Sequence, residues 1–191
     1  MKAVILAAGE GIRLRPYTSN KPKGMIRVAN NPILHYIIDA LKGNGIREII
    51  MVVGYAREKI MNYFGNGSAF GVSITYVEQK KQIGTAHALY HARSFLDSEF
   101  LVVAGDNIID KAAVSELISN HGKVSVGLTV SETPSQYGVV SMDGPVIKNI
   151  KEKPEKAESN IISTGLYIFP PQIFDIIENM LEQSRFDITS T

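Results

Sequence analysis

Apolar residues in this chain gather in short uninterrupted runs, and the stretches between them carry helical spacing. Residues 2–7 (KAVILA), 48–54 (EIIMVVG) and 100–106 (FLVVAGD) leave no polar face, which predicts strands buried on both sides. Residues 72–78 (VSITYVE) alternate, as a half-covered strand does. Residues 31–45 (NPILHYIIDALKGNG), 57–65 (REKIMNYFG), 84–96 (GTAHALYHARSFL) and 110–122 (DKAAVSELISNHG) read as helices. Asn31 is the expected N-cap of the first, with Pro32 in its first turn and Gly43 or Gly45 closing it. Gly122 stands just past the end of the last. Strands alternating with helices are joined by crossovers and lie parallel, so the expected fold is α/β, a Rossmann-like doubly wound, mostly parallel sheet.

From about residue 124 the rhythm changes. Residues 124–130, 137–142, 146–153 and 161–169 are strand-like runs separated by turns, which predicts an antiparallel or mixed extension of the sheet. A helix from Pro170 to about Leu181 follows. No repeat or linker divides the chain, and the expectation is a single domain over 1–191. The closing RFDITST reads as the approach to a further helix, so the C-terminal part of that domain is expected to be missing.

Composition narrows the chemistry. The 191 residues are 45% hydrophobic and 20% charged with a net charge of +1, ordinary for a globular domain and without the basic field of a nucleic-acid binder. Any anion site must therefore be a local concentration of charge. The absence of cysteine excludes disulfides, thiol catalysis and cysteine–zinc sites. With no membrane-length apolar run and no signal-peptide pattern, the expected location is cytoplasmic, and the NGS at Asn66 is an accidental match to a glycosylation sequon.

The first strand runs directly into Gly9-Glu10-Gly11, and Arg13, Arg15, Lys21 and Lys23 follow within a dozen residues. Ligands of open parallel sheets bind beyond the carboxyl ends of the strands, and glycines let backbone N–H groups approach an anion. The loop lacks both the P-loop spacing and the third glycine of a dinucleotide fingerprint. Its basic residues suit phosphate oxygens, although a solvated basic turn has the same composition. Asp106, closing a buried strand, falls on the same rim. It reads either as a cap for the helix near Asp110 or as a Mg²⁺ ligand, and the rim location favours the ligand. Alone, Glu152 and Lys153 read as an exposed charged turn and Gln79 as a surface residue. His87 and His91 have zinc-like spacing without a third ligand, so they read as structural or surface histidines.

The segment LAAGEGIRLRPYTSNKPKGM resembles the signature of the sugar-1-phosphate nucleotidylyltransferases, and the resemblance continues in order along the whole chain. It implies the nucleotide-diphospho-sugar transferase fold and condensation of UTP or dTTP with a sugar 1-phosphate, releasing pyrophosphate. Carried over by position, Ala8, Gly9 and Gly11 hold nucleotide phosphates, Arg13 grips the pyrophosphate portion and Lys23 sits beside the reacting phosphates. EQKKQIGTAHA implies that Gln79 pairs with a pyrimidine and that Gly84 and Thr85 lie against it. Asp106 matches the Mg²⁺ ligand. Tyr137 and Gly138 fall near the sugar, Glu152 on its hydroxyls, Lys153 near its phosphate, and Thr164 with Gly165 on its wall.

IGTAHA leans towards the N-acetylglucosamine-1-phosphate uridylyltransferases, and YGVV and STGLYIF towards the glucose-1-phosphate thymidylyltransferases. Glucose 1-phosphate is the first expectation, N-acetylglucosamine 1-phosphate the second. The chain departs from the family in carrying Ser163 where many relatives have asparagine and in offering no match to a second metal aspartate; some relatives continue into a β-helix, which falls outside these 191 residues. The expected partners are small molecules, the triphosphate and the sugar 1-phosphate, with no nucleic acid or membrane expected and room for a homo-oligomer. A non-catalytic regulatory subunit of the same fold would have lost Arg13, Lys23 or Asp106, all present here. A Rossmann oxidoreductase would need an acid after the second strand, where Gly54 and Tyr55 stand.

Overall fold

The computed structural model describes residues 1–122 and 124–182 and, of Arg13, the backbone alone. The expected approach to a helix in RFDITST lies outside the described residues. The elements in chain order are β1 (Lys2–Ala7), β2 (Arg27–Val28), β3 (Asn31–Pro32), α1 (Ile33–Gly43), β4 (Glu48–Val53), α2 (Arg57–Phe64), β5 (Ser73–Glu78) and α3 (Thr85–Tyr90). They continue with β6 (Phe100–Ala104), α4 (Lys111–Ser119), β7 (Ser125–Val130), β8 (Gly138–Asp143), β9 (Val146–Glu152), β10 (Ile161–Phe169) and α5 (Ile173–Glu182). An eight-stranded sheet has the order β5-β4-β1-β6-β10-β8-β9, with β7 also bonded to β10.

β5, β4, β1 and β6 pair in parallel, and β10, β7, β8 and β9 add the antiparallel extension. The uninterrupted runs are the central strands because apolar side chains project from both of their faces. Ala3, Ile5 and Ala7 pack with α1, α2 and α4 on one face. Val4 faces the opposite layer of α3 and α5, where Phe100 stacks on Phe174 at 5.5 Å.

Several helix boundaries differ from expectation: α4 ends at Ser119 with Asn120 as its C-cap, short of Gly122, and α5 opens at Ile173 rather than Pro170. Asn31 does not cap α1: Asn31 and Pro32 pair with β2 in a hairpin whose two-residue turn, Ala29 and Asn30, has φ 45° and 76°. Pro32 stands in the capping position just before the helix rather than in its first turn. The N–H of Ile33 is taken by the Ile26 carbonyl at 3.0 Å, so hairpin backbone does the work of a side-chain cap. Gly45, rather than Gly43, closes α1, with Ile46 N–H bonding Leu41 O at 3.1 Å and Gly45 N–H bonding Lys42 O at 2.9 Å. The helix expected over 84–96 is α-helical only to Tyr90. Tighter turns follow (Ala92 N–H to Leu89 O at 2.9 Å, Leu96 N–H to Arg93 O at 3.2 Å), and they bury both Ala92 and Leu96.

Candidate active site

β1 and β6 lie side by side, with Leu6 opposite Ala104, so their carboxyl ends are flush. The chain leaves β1 towards β4 and β5 and returns to add β6 on the other side, which makes the β1–β6 rim the switch point where such sheets bind ligands. The loop after β1 is tied down from several sides. The buried Thr18 hydroxyl donates to Gly11 O at 2.8 Å, Gln82 Nε2 donates to Ala8 O at 2.8 Å, and Arg15 pairs with Glu10.

Lys23 Nζ meets Asp106 Oδ2 at 2.5 Å, across 83 residues of sequence. Two glycines permit that approach. A Cβ on Gly24 would stand 2.6 Å from Gly105 O, and one on Gly105 would stand 2.7 Å from Leu6 O. The cap reading of Asp106 fails: Asp110 caps α4, accepting from Ala113 N–H at 2.7 Å. The backbone of Arg13 lies in the turn Ile12–Leu14 directly after the glycine loop; its side chain is outside the described residues.

Gln79 corrects its surface reading: it is 4% exposed, at the carboxyl end of β5. Its Nε2 donates to Gly84 O at 3.1 Å and meets His87 Nδ1 at 2.9 Å. The His87 and His91 rings stand edge to face at 4.5 Å, and among the described residues they belong to no group of three potential metal ligands. Burial pushes both imidazoles below the ordinary histidine range; His91 adds to the effect on His87, and Arg93 to that on His91.

A depressed imidazole pKa makes the unfolded chain the better proton acceptor once pH drops below the ordinary value of 6.5. Well above that value the pair contributes no pH dependence, and as pH falls through it the folded state loses ground. Tm is expected to fall between about pH 7 and pH 5, and to fall less in a His87→Asn, His91→Asn double variant. Equal slopes in thermal melts of the two proteins would remove the pair from the explanation.

The residues expected around the sugar are distributed unevenly. Lys153 lines the cleft with a left-handed backbone, φ 42°, its N–H on Tyr137 O at 3.0 Å and its Nζ on Glu152 Oε1 at 2.9 Å. Gly138 lies opposite Glu152, and Tyr137 is 44% exposed beside them. β10 bulges between Ser163 and Tyr167. There Thr164 turns its hydroxyl to Gly127 O at 2.9 Å, on β7, while its carbonyl accepts from Asn107 Nδ2 at 2.5 Å. Gly165 sits against Ala104 and Asn107. Ser163, at the departure from the family pattern, donates to Tyr167 Oη at 2.9 Å; burial pushes that phenol up, with Glu152 adding to the effect.

A cleft of about 550 Å³ collects Ala8, Gly9, Gly11, Lys23, Gln79, Gly84, Thr85, Asp106 and Lys153. Size alone does not single it out. A groove of about 1090 Å³ beside α4, β7 and β9 is larger, but Glu116 and Lys148 are its charged side chains among the described residues, and they form no cluster with the loop. Sequence reasoning missed Gln82, Thr18 and Asn107, which brace the cleft from positions without a motif. It also missed the pairing of Gly24 with Gly105, whose one visible trace is a glycine beside each of Lys23 and Asp106.

The nucleotidyl transferase family's sequence profile matches residues 2–190. The low-salt glycan biosynthesis nucleotidyltransferase Agl11 of Haloferax volcanii is 39% identical over 199 residues, covering 100% of this chain and 55% of that protein. UTP–glucose-1-phosphate uridylyltransferase AglF of the same organism is 40% identical, covering 91% of this chain and 74% of its own. A Bacillus anthracis protein named as a glucose-1-phosphate thymidylyltransferase, solved with sucrose, superposes with a TM-score of 0.91 at 30% identity. That match covers 100% of this chain and 80% of that one. The chain spans about half the length of the first curated relatives it matches.

Proposed function

The chain belongs to the nucleotidyl transferase family, and on that premise we propose that it condenses UTP or dTTP with a sugar 1-phosphate, glucose 1-phosphate first and N-acetylglucosamine 1-phosphate second. A phosphate oxygen of the sugar 1-phosphate attacks the α-phosphorus of the triphosphate; that P–O bond forms as the α–β bond breaks, and pyrophosphate leaves. No protein nucleophile is needed, only alignment and neutralisation of charge. The observation that carries this reading is the Lys23–Asp106 contact at the β1–β6 rim, in one cleft with the glycine loop, Gln79 and Lys153.

In this reading the loop at Ala8, Gly9 and Gly11 cradles the nucleotide phosphates, Arg13 follows it towards the pyrophosphate, and Lys23 holds the reacting centre. Lys153, which lines the same cleft, serves the attacking phosphate. Tyr137, Gly138, Glu152 and Gly165 mark the sugar side, without the Thr164 hydroxyl, which is committed to Gly127 O. The donor set fits Mg²⁺ shared with substrate. Of the two carboxylates among the described residues that line the cleft, Glu10 is paired with Arg15 and Asp106 is the one beside Lys23. The described residues hold no protein-only cluster of three ligands, and this ion takes one or two carboxylates with phosphate oxygens and waters. When bound, Mg²⁺ would neutralise charge on the departing pyrophosphate.

No helix among the described residues is long and apolar enough to cross a membrane. The test is pyrophosphate release with Mg²⁺, each of several triphosphates and each sugar phosphate. Release is expected with UTP or dTTP and a sugar 1-phosphate, and not with ATP or GTP. Triphosphate binding without release for any pair would favour the non-catalytic subunit, and no triphosphate binding would overturn the reading.

A further inference from the structure

We infer that His87 is a positioning residue: its Nδ1 holds the Gln79 carboxamide with nitrogen inward and oxygen towards the cleft, so that the site accepts a base edge that donates, N3–H of uracil or thymine, and disfavours cytosine, whose N3 is a bare acceptor. The inference rests on the proposed nucleotide cleft and adds the residue that sets which pyrimidine it reads.

The argument begins with a carbonyl. Gly84 O can only accept, so the Gln79 atom 3.1 Å from it is the amide nitrogen. His87 Nδ1 is 2.9 Å from that same nitrogen, so it accepts as well, and the ring carries its proton on Nε2. An amide nitrogen has two hydrogens, and both are now committed. Gln79 Oε1 receives no hydrogen bond among the described residues, and Gln79 lines the cleft with Gly84 and Thr85.

The frame around this amide is rigid. Gly84 and His87 are one turn apart, and the Ala88 N–H bonds Gly84 O at 3.1 Å, so two acceptors flank the same nitrogen from one helix start. Gln79 N–H is fixed to Val53 O at 2.8 Å, and the His91 ring braces His87 edge to face. Inverting the carboxamide would set Gln79 Oε1 against Gly84 O, two acceptors in a buried place. Burial keeps His87 neutral near pH 7, which preserves its bare nitrogen.

The test is a binding titration of the full chain with UTP and with CTP, in Mg²⁺ and without sugar. The wild type is expected to prefer UTP. His87→Leu keeps the Gly84 anchor but loses the second acceptor, and should shrink the UTP-to-CTP ratio roughly fivefold to tenfold, the scale of one ordinary hydrogen bond. His87→Asn places an acceptor oxygen where Nδ1 stood and should restore most of the ratio, which a merely structural role would not predict.

A wild type that binds UTP and CTP alike, or a His87→Leu ratio equal to wild type, overturns the inference and leaves the nucleotide cleft standing. A wild type that binds neither overturns both. The imidazole ¹⁵N shifts of the wild type answer independently of any variant's folding: a proton on Nε2 supports the assignment, and a proton on Nδ1 refutes it.

Discussion

Asp106→Asn is expected to lower the rate of pyrophosphate release by about 100- to 1000-fold, the scale set by removing one preorganised electrostatic group from a charge-transfer site. Stability should hardly change. The side chains of Lys23 and Asp106 are 35% and 40% exposed, and ion pairs that open to solvent contribute about 0–1 kcal/mol. The pair therefore matters for position rather than for folding. Asparagine keeps the shape and can still accept from Lys23, so the loss isolates the charge. Nucleotide affinity should weaken much less than turnover, because the proposed contacts of the glycine loop and Gln79 with the nucleotide are untouched by the change. A variant that releases pyrophosphate at the wild-type rate would show that Asp106 is a bystander at the rim.

Gly24→Ala attacks the same contact through the backbone. The added Cβ would stand 2.6 Å from Gly105 O and 2.7 Å from Leu34 Cγ, so the β6 rim and α1 must both yield. Overpacking of this kind costs about 2–3 kcal/mol. For a chain of this size that lowers Tm by roughly 5–10 °C. Because Gly24 adjoins Lys23 and Gly105 adjoins Asp106, the same displacement should slow turnover, unlike an equally destabilising change elsewhere in the core. Gly122→Ala is the control for stability: its Cβ would meet nothing within 4 Å, and Tm should stay within a few degrees of wild type. Matching melts for the two alanine variants would show that the glycine contact is not tight.

The outcome at the rim explains which parts of the site were readable in advance. The glycine loop could be placed because it follows an uninterrupted apolar run, and parallel sheets present strand ends on one rim. Asp106 could be placed by the same reasoning at the end of β6, two positions beyond its last residue. Gln79 could not. Its neighbours alternate like those of a half-exposed strand, and only the loop folding back through Gly84 and His87 buries it. Thr164 carries the family's pattern, yet the β10 bulge sends its hydroxyl to β7; the count of residues between β10 and its partners decides that, and no local pattern records it. Asn31 and Pro32 had a helix-start composition and still joined a hairpin, because the Ile26 carbonyl supplied the bond a cap would have supplied.

By itself the sequence determined the class of fold, the strands buried on both faces, and the rim on which the glycine loop and Asp106 fall, since side-chain period and glycine placement are local properties of the chain. Tertiary structure alone decided that Lys23 meets Asp106, that Gln79 is buried with its amide nitrogen on Gly84 O, and that the Thr164 hydroxyl turns to β7. Each of those outcomes depends on which strands become neighbours and on packing to within a few tenths of an ångström, between residues as far apart as 83 positions.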